Sequence, residues 1–181
     1  GYGYTRFDYS GHGQSDRRFE DCIFEDWLSD ALAVFDQKTG SGPCILIGSS
    51  MGGWIALHLA LQRMDRVCGV VGIAAAPDFT RTMVDRRMDP DMRKIYHDTG
   101  RVAVPNTYSD QPYIITKAMI ESGNRLCLLH KTHTLGCPVH LLQGMLDPDV
   151  DPETPYRIQN SFPETPVAIH LIGDGDHGLS R

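Results

Sequence analysis

The feature that most constrains this chain is the pattern G-S-S-M-G at positions 48–52, placed between an apolar segment and an amphipathic helix. The apolar segment, Cys44 to Ile47, is typical of a central strand covered on both faces, and a helix is predicted from Trp54 to Arg63. The glycines of this pattern allow a serine with a strained backbone at a strand-to-helix turn. The pattern therefore predicts that Ser50 is an exposed nucleophile and that the Met51 N–H faces a developing oxyanion.

The neighbouring serine is the alternative nucleophile. Ser49 lacks a glycine two positions before it, because Ile47 stands there, so Ser50 is the better candidate. A Gly/Ser turn that merely joins a strand to a helix is the non-catalytic interpretation. The strand before the turn and the helix after it favour the catalytic one.

The partners of a catalytic serine are a histidine that accepts its proton and a carboxylate that orients the histidine. Where this motif is catalytic, they follow along the chain in the order Ser, acid, His. Asp147 comes just after a predicted strand, Val139 to Leu142, and is the predicted acid. Asp149 and Asp151 are alternatives, and turn formation before proline is the non-catalytic role for any of the three.

The predicted base is His177, in a loop directly after the last predicted strand, Val167 to Ile172. Of the eight histidines it is the only one placed there. The pair His130 and His133 superficially resembles a metal site, but no cysteine or carboxylate lies nearby at ligand spacing. We therefore expect no metal and no cofactor.

Strand-like and helical segments alternate along the chain, which predicts an α/β fold with a mostly parallel sheet. A first strand is predicted at Thr5 to Tyr9 and a helix at Phe24 to Gln37. The pattern breaks down between residues 77 and 136, where charges and prolines are dense and short amphipathic pieces such as Ile114 to Ile120 intervene. We predict a core of residues 1–76 and 137–181 and an inserted lid of residues 77–136.

Apolar and aromatic side chains of the predicted lid either bind an acyl or aryl group or pack the lid onto the core. They are Phe79, Met83, Met88, Met92, Tyr96, Tyr108 and Tyr113.

The net charge and the cysteine content limit which partners and which compartment we expect. The net charge of −6 offers no basic field for nucleic acid, so a small-molecule or acylated substrate is the expected partner. Five scattered cysteines, without a C-x-x-C pair, argue against a disulfide framework and favour a reducing, cytoplasmic setting. No apolar run approaches the roughly 20 residues of a membrane helix. The oligomeric state stays open.

Four strings carry a family resemblance: R-F-D-Y-S-G-H-G-Q-S at 6–15, G-S-S-M-G-G-W at 48–54, Q-G-M-L-D at 143–147 and G-D-H-G-L-S-R at 175–181. The chain resembles the α/β-hydrolase subfamily that contains mitochondrial palmitoyl-protein thioesterase, an acyl-glucuronide esterase, and bacterial relatives. The resemblance implies a three-layer fold that cleaves acyl esters or thioesters through an acyl-enzyme. The chain departs from that subfamily at Gln143, where histidine is usual, at residues 150–152, and at Gly178, where arginine is usual.

The chain begins at Gly1 rather than Met, and the resemblance implies earlier strands and a loop that donates a second oxyanion N–H. One missing strand would lie between those predicted at Thr5 to Tyr9 and Cys44 to Ile47. We therefore expect a truncated chain with a slot in its sheet. Loss of one oxyanion donor typically costs about a hundred- to a thousandfold in rate. A lost transit peptide would make the compartment mitochondrial.

Two other functions remain open from the sequence. One is a non-catalytic scaffold of the same fold, against which the intact Ser, Asp and His argue. The other keeps the three residues but performs another reaction, that of a lipase or a carbon-carbon hydrolase, since one fold hosts many chemistries.

Overall fold

The computed structural model describes residues 3–106 and 111–179. Its helices are α1 (Phe24–Lys38), α2 (Met51–Gln62), α3 (Thr80–Arg87), α4 (Pro90–Thr99), α5 (Lys117–Arg125) and α6 (Thr154–Ser161). Its strands are β1 (Cys44–Ser49), β2 (Val67–Ile73), β3 (Arg101–Val104), β4 (Tyr113–Thr116), β5 (Val139–Gly144) and β6 (Val167–Ile172), and a 3-10 turn covers Phe19–Asp21. The chain divides into two compact units. One comprises residues 1–34 and 78–127, and the other residues 35–77 and 128–181.

The unit formed by residues 35–77 and 128–181 contains a four-stranded sheet in the order β1-β2-β5-β6. All three neighbouring pairs are parallel. Parallel neighbours need a crossover connection, and α2 supplies it between β1 and β2, while α6 supplies it between β5 and β6. The α/β fold with a mostly parallel sheet, predicted from the sequence, is confirmed.

The two faces of this sheet differ in burial. The pairing of Val70 with Val139 and of Gly72 with Leu141 places Val70, Leu141 and Gln143 on one face, and all three are buried. On the other face Ile45 and Ile47 are 63% and 65% exposed. His140 and His170, both exposed, stack there with ring centroids 5.7 Å apart.

The prediction that Cys44 to Ile47 is a central strand covered on both faces is wrong for this chain. β1 is an edge strand of the four-stranded sheet, and its burial alternates along the strand. The apolar run predicted burial on both faces, but burial depends on which segments pack against the strand, and none of the described residues covers Ile45 and Ile47.

The predicted strand at Thr5 to Tyr9 is also absent from the described part of the chain, where residues 3–9 form no regular element. An extended segment becomes a strand only when its backbone groups have a ladder partner. Here the following residue is held by other contacts: Ser10 N–H donates to Asp30 at 2.7 Å, and Trp27 Nε1 donates to the Ser10 carbonyl at 2.9 Å. Burial, together with the charge of Asp30, raises the pKa of Tyr9 to about 12.

Residues 78–127 belong to the same unit as residues 1–34, and they contribute helices and a two-stranded antiparallel sheet, β3-β4, to it. The segment Ile114 to Ile120, predicted as one amphipathic piece, divides into β4 and α5. The division falls at Thr116, whose side chain accepts a hydrogen bond from the Met119 N–H at 3.2 Å and so caps α5. Tyr108, one of the apolar residues predicted to line the lid, lies outside the described residues.

None of the helices in residues 3–106 and 111–179 has both the length and the apolar character that a membrane span requires. The longest, α1, has 15 residues and carries charges in its first and last turns.

The cysteines differ enough in environment to predict their order of modification. Burial raises the pKa of the Cys127 thiol to about 11, so its thiolate is scarce at pH 8, whereas Cys68 is exposed. We expect iodoacetamide at pH 8 to alkylate Cys68 in the folded protein and to leave Cys127 unmodified, as read by peptide mass spectrometry. The same reaction in urea is the control and should modify both. Early modification of Cys127 would contradict the buried setting.

Candidate active site

Ser50 connects β1 to α2 in a strained backbone conformation. Its φ of 51° and ψ of −119° are rare for a residue with a side chain, and it is the N-cap of α2. Hydrogen bonds to neighbouring segments hold this conformation: the Ser50 N–H donates to the Ile73 carbonyl at 2.9 Å, and the Ser50 carbonyl accepts from the Ala76 N–H at 3.0 Å. The strain is thus maintained by β2 and the residues that follow it.

Met51 is the first residue of α2. The first N–H groups of a helix have no carbonyl to bind within the helix, and the helix dipole makes this end favourable for negative charge. An oxyanion formed beside Ser50 would meet such a donor. The role of Met51 in an oxyanion hole stays a prediction.

Asp147 and His177 are in direct contact. Asp147 follows β5, His177 follows β6, and His177 Nδ1 lies 2.9 Å from Asp147 Oδ2. The Asp147 side chain is fully shielded from solvent, and that of His177 is 14% exposed. Because the carboxyl ends of parallel strands meet at one edge, Ser50, at the end of β1, lies on the same edge. β2 lies between β1 and β5, so Ser50 is two strands away from Asp147 along that edge.

Four hydrogen bonds surround the Asp147 carboxylate. Oδ1 accepts from the backbone N–H groups of Asp149 and Val150 at 2.8 and 3.0 Å. Oδ2 accepts from Gln143 Nε2 at 2.9 Å, in addition to its contact with His177. Such a carboxylate is held in one orientation and stays poised to accept from an imidazole N–H.

The alternative acids have different environments. Asp151 accepts a hydrogen bond from the Glu153 N–H at 3.0 Å, the turn-forming role that the sequence left open. Asp149 lies near the pair, with a carboxylate oxygen within 4.8 Å of ligand atoms of Asp147 and His177. The contact geometry favours Asp147 as the partner of His177.

Comparison with known proteins establishes the family. A family profile described as serine aminopeptidase, S33 (Hydrolase_4) matches residues 1–109, more than half of the chain. The solved structure of α/β-hydrolase domain-containing protein 10 from mouse is 34% identical, with a TM-score of 0.81, covering 96% of this chain and 69% of that one. The chain belongs to the α/β-hydrolase family. A putative hydrolase from Agrobacterium vitis S4 is 41% identical, with a TM-score of 0.88, covering 97% of this chain and 69% of that one.

The curated relatives include the mitochondrial palmitoyl-protein thioesterase ABHD10 of Bos taurus, which is 34% identical over 187 residues. That alignment covers 100% of this chain and 59% of the relative. The chain therefore spans about three fifths of the length of this curated relative. The family resemblance predicted from the four sequence strings is confirmed.

The glycines of this α/β-hydrolase turn are required by close approach. A Cβ on Gly48 would overlap the carbonyl group of Gly52, and a Cβ on Gly53 would lie 2.6 Å from Ala75 Cβ. Backbone atoms cannot yield as a flexible side chain can. The strained serine, the first turn of α2 and the residues after β2 are thus packed as one unit.

We expect Gly48→Ala to destabilise the protein by about 3 kcal/mol, because the clash forces the backbone of the turn to move. Gly42→Ala is the matched control, since a Cβ there meets nothing within 4 Å. Urea unfolding followed by circular dichroism compares the two. Equal stability of the variants would show that the turn tolerates displacement.

The loops that carry the acid and the base are joined to each other. The Met145 N–H donates to the Ile172 carbonyl, and the Leu146 N–H donates to the Gly175 carbonyl, both at 2.9 Å. A Cβ on Gly144 would overlap the carbonyl groups of Gly175 and Asp176. The contact between Asp147 and His177 therefore rests on a backbone arrangement that also holds their loops together.

Gln143 has a place in this site that the sequence did not reveal. It was noted only as a departure from the histidine usual in the subfamily, yet it is fully buried and donates to Asp147. A signal was present: glutamine is the one amide in β5, and the alternation of a strand places it on the face occupied by the apolar Val139 and Leu141.

One group of side chains in the described residues has the composition of a cation site: Asp147, Asp149 and His177. The Asp147 oxygens already accept four hydrogen bonds, which is the environment of an orienting carboxylate. His133, suspected from the spacing of His130 and His133, instead places Nε2 3.0 Å from the Leu128 carbonyl and packs against Phe162.

Proposed function

We propose that the protein is a serine hydrolase that cleaves acyl esters or thioesters through an acyl-enzyme intermediate. The observation that carries this proposal is the 2.9 Å contact between Asp147 and His177, on the sheet edge where the strained Ser50 also lies. Family membership supports it, because curated relatives that match the whole chain at 34% identity are named palmitoyl-protein thioesterases.

The reaction would proceed in two halves. Ser50 Oγ attacks the acyl carbon while His177 Nε2 takes the hydroxyl proton, and Asp147, through His177 Nδ1, stabilises the imidazolium. The carbonyl oxygen becomes an oxyanion that the Met51 N–H binds. Collapse expels the alcohol or thiol, which receives the proton from His177. Water, deprotonated by His177, then attacks the acyl-enzyme; the bond from the acyl carbon to Ser50 Oγ breaks, Oγ takes the proton back from His177, and the carboxylic acid is released.

The substrate class rests on the relatives rather than on this chain's residues. The curated relatives at 34% identity are named palmitoyl-protein thioesterases and mitochondrial. We therefore propose an acyl thioester or ester as substrate, and a mitochondrial rather than cytoplasmic setting. Fluorescence microscopy of the gene product with its native amino end and a fluorescent protein at its carboxyl end tests the compartment.

Burst kinetics test the proposed function. We expect 4-nitrophenyl butyrate to release one equivalent of nitrophenolate per active site before slower turnover, because acylation precedes hydrolysis of the acyl-enzyme. Butyryl-coenzyme A, followed by thiol release, compares thioester with ester. The chain should be assayed beside a version extended with the N-terminal strands that the family resemblance implies.

The outcomes separate the alternatives. Turnover and burst in the extended protein support the serine hydrolase, and weak turnover of the short chain is expected if a second oxyanion donor lies in the added strands. A well-folded extended protein that neither turns over nor labels with a fluorophosphonate would indicate a scaffold. Cleavage of a carbon-carbon bond in a β-diketone, without ester cleavage, would identify another reaction on the same three residues.

A further inference from the structure

We propose that Gln143 is a positioning residue that fixes the Asp147 carboxylate in the orientation needed by His177. The inference rests on the proposed function, since it assigns a role within the pair of acid and base. Gln143 donates to Asp147, which in turn contacts His177, so its effect on the base would pass through Asp147.

The geometry supplies the first reason. Gln143 Nε2 and His177 Nδ1 both lie 2.9 Å from Asp147 Oδ2, so they share one oxygen. The other oxygen is held by two backbone N–H groups of the same loop. Without Gln143, the histidine that Asp147 is supposed to orient would be the only side chain hydrogen-bonded to Oδ2 in the described part of the chain.

The state of the Gln143 amide supplies the second reason. Its side chain is fully buried, and its Oε1 has no hydrogen-bond partner among residues 3–106 and 111–179. A buried acceptor without a partner costs about 1–3 kcal/mol. Exchanging the amide nitrogen and oxygen would turn Oε1 toward the Asp147 carboxylate, where two acceptors repel. Nε2 also donates to the Gly144 and Val150 carbonyls at 3.2 and 3.3 Å.

The buried Oε1, without a partner among the described residues, lowers the stability of the fold, whereas Nε2 holds the Asp147 carboxylate in one orientation. An apolar side chain of the same length, such as methionine, would remove the lone Oε1 acceptor, but it would also remove the donor that Asp147 Oδ2 and the Gly144 and Val150 carbonyls share. The amide makes sense when its donor is needed at Asp147 Oδ2. It also moderates the negative charge there, because a donated hydrogen bond stabilises the ionised carboxylate.

The predicted consequence has a definite sign. Removing the donor leaves more negative charge on Oδ2, which favours the protonated ring of His177. The titration midpoint of His177 should therefore move to higher pH in Gln143→Met. At neutral pH less of the histidine would be free to act as a base, and the carboxylate would be less firmly oriented. Both effects slow the reaction of Ser50.

The experiment combines three measurements on the protein extended with the N-terminal strands and on its Gln143→Met variant. These are the midpoint of the His177 ring signals in an NMR titration, the melting temperature, and the rate constant for labelling by a fluorophosphonate across pH. Gln159→Met is the matched control, because Gln159 is an exposed glutamine whose Nε2 donates to a backbone carbonyl, that of Val167, rather than to a carboxylate.

We expect Gln143→Met to remain folded, to shift the His177 midpoint upward, and to label about tenfold more slowly at pH 7. Gln159→Met should change none of these. Gln143→Glu is the second variant, in case methionine prevents folding. Its added carboxyl group should move the midpoint upward further and make labelling fall steeply as that group ionises.

A purely structural role gives another pattern and overturns the inference: a lower melting temperature with an unchanged midpoint and unchanged labelling at pH 7. Unchanged values in all three measurements overturn it as well. If the midpoint moves but the extended parent protein does not label, Gln143 does orient the pair while the proposed function of Ser50 fails. The two hypotheses are thus tested separately.

Discussion

Replacing Ser50 by alanine is expected to reduce ester hydrolysis by the extended protein to the uncatalysed background. Loss of the nucleophile in a serine hydrolase typically costs on the order of a millionfold in kcat. Alanine retains the Cβ of serine, so the strained turn, held by Ile73 and Ala76, should keep its fold. Steady-state turnover of 4-nitrophenyl butyrate measures the effect, and circular dichroism checks the fold.

The matched control is Ser49→Ala, which changes the adjacent serine, the alternative nucleophile considered from the sequence. Ser49 is the last residue of β1, and the strained conformation belongs to Ser50 alone of the two. We expect Ser49→Ala to retain activity within about tenfold of the parent, since the reacting groups stay in place. Loss of activity in this variant, with retention in Ser50→Ala, would reverse the assignment of the nucleophile.

The second large effect is expected for Asp147→Asn. The asparagine keeps the shape of the side chain, but its amide favours the wrong tautomer of His177, and the corresponding change in a well-studied serine protease costs about ten-thousandfold in kcat. The fall should be seen in kcat of the extended protein with 4-nitrophenyl butyrate, while the melting temperature reports on folding.

Asp149→Asn is the control for that variant. Asp149 donates its backbone N–H to Asp147 Oδ1, a contact that the substitution preserves, and its side chain lies close to the pair. We expect a loss no greater than about tenfold, through the change in local charge alone. Equal losses in the two variants would contradict the choice of Asp147 as the acid.

Local sequence patterns were sufficient where chemistry follows local rules. The strand-to-helix turn at Ser50 is specified by its glycines. The sequence predicts Asp147 and His177 because each lies directly after a predicted apolar strand, and the carboxyl ends of parallel strands share an edge. β6 begins and ends at the predicted residues, and α1 differs from its prediction by one residue.

Other features depend on contacts between segments that are distant in the sequence, so local patterns did not predict them. The alternation of Thr5 to Tyr9 resembles a strand, but a ladder partner is a long-range property that the segment itself does not specify. The apolar run of β1 predicts burial, yet Ile45 and Ile47 are exposed in this chain. The contact between Gln143 and Asp147 crosses the end of β5, where only the path of the following loop brings the two side chains together.

The most direct test of Ser50 as an activated nucleophile is to map the adduct of a fluorophosphonate on the extended protein. The reagent reacts with a serine whose proton a neighbouring base removes, and peptide mass spectrometry locates the phosphonylated residue. We predict one adduct, on Ser50, that is lost in Ser50→Ala and strongly slowed in Asp147→Asn. A folded protein that forms no adduct, or forms it on Ser49 or another residue, would contradict the proposed site.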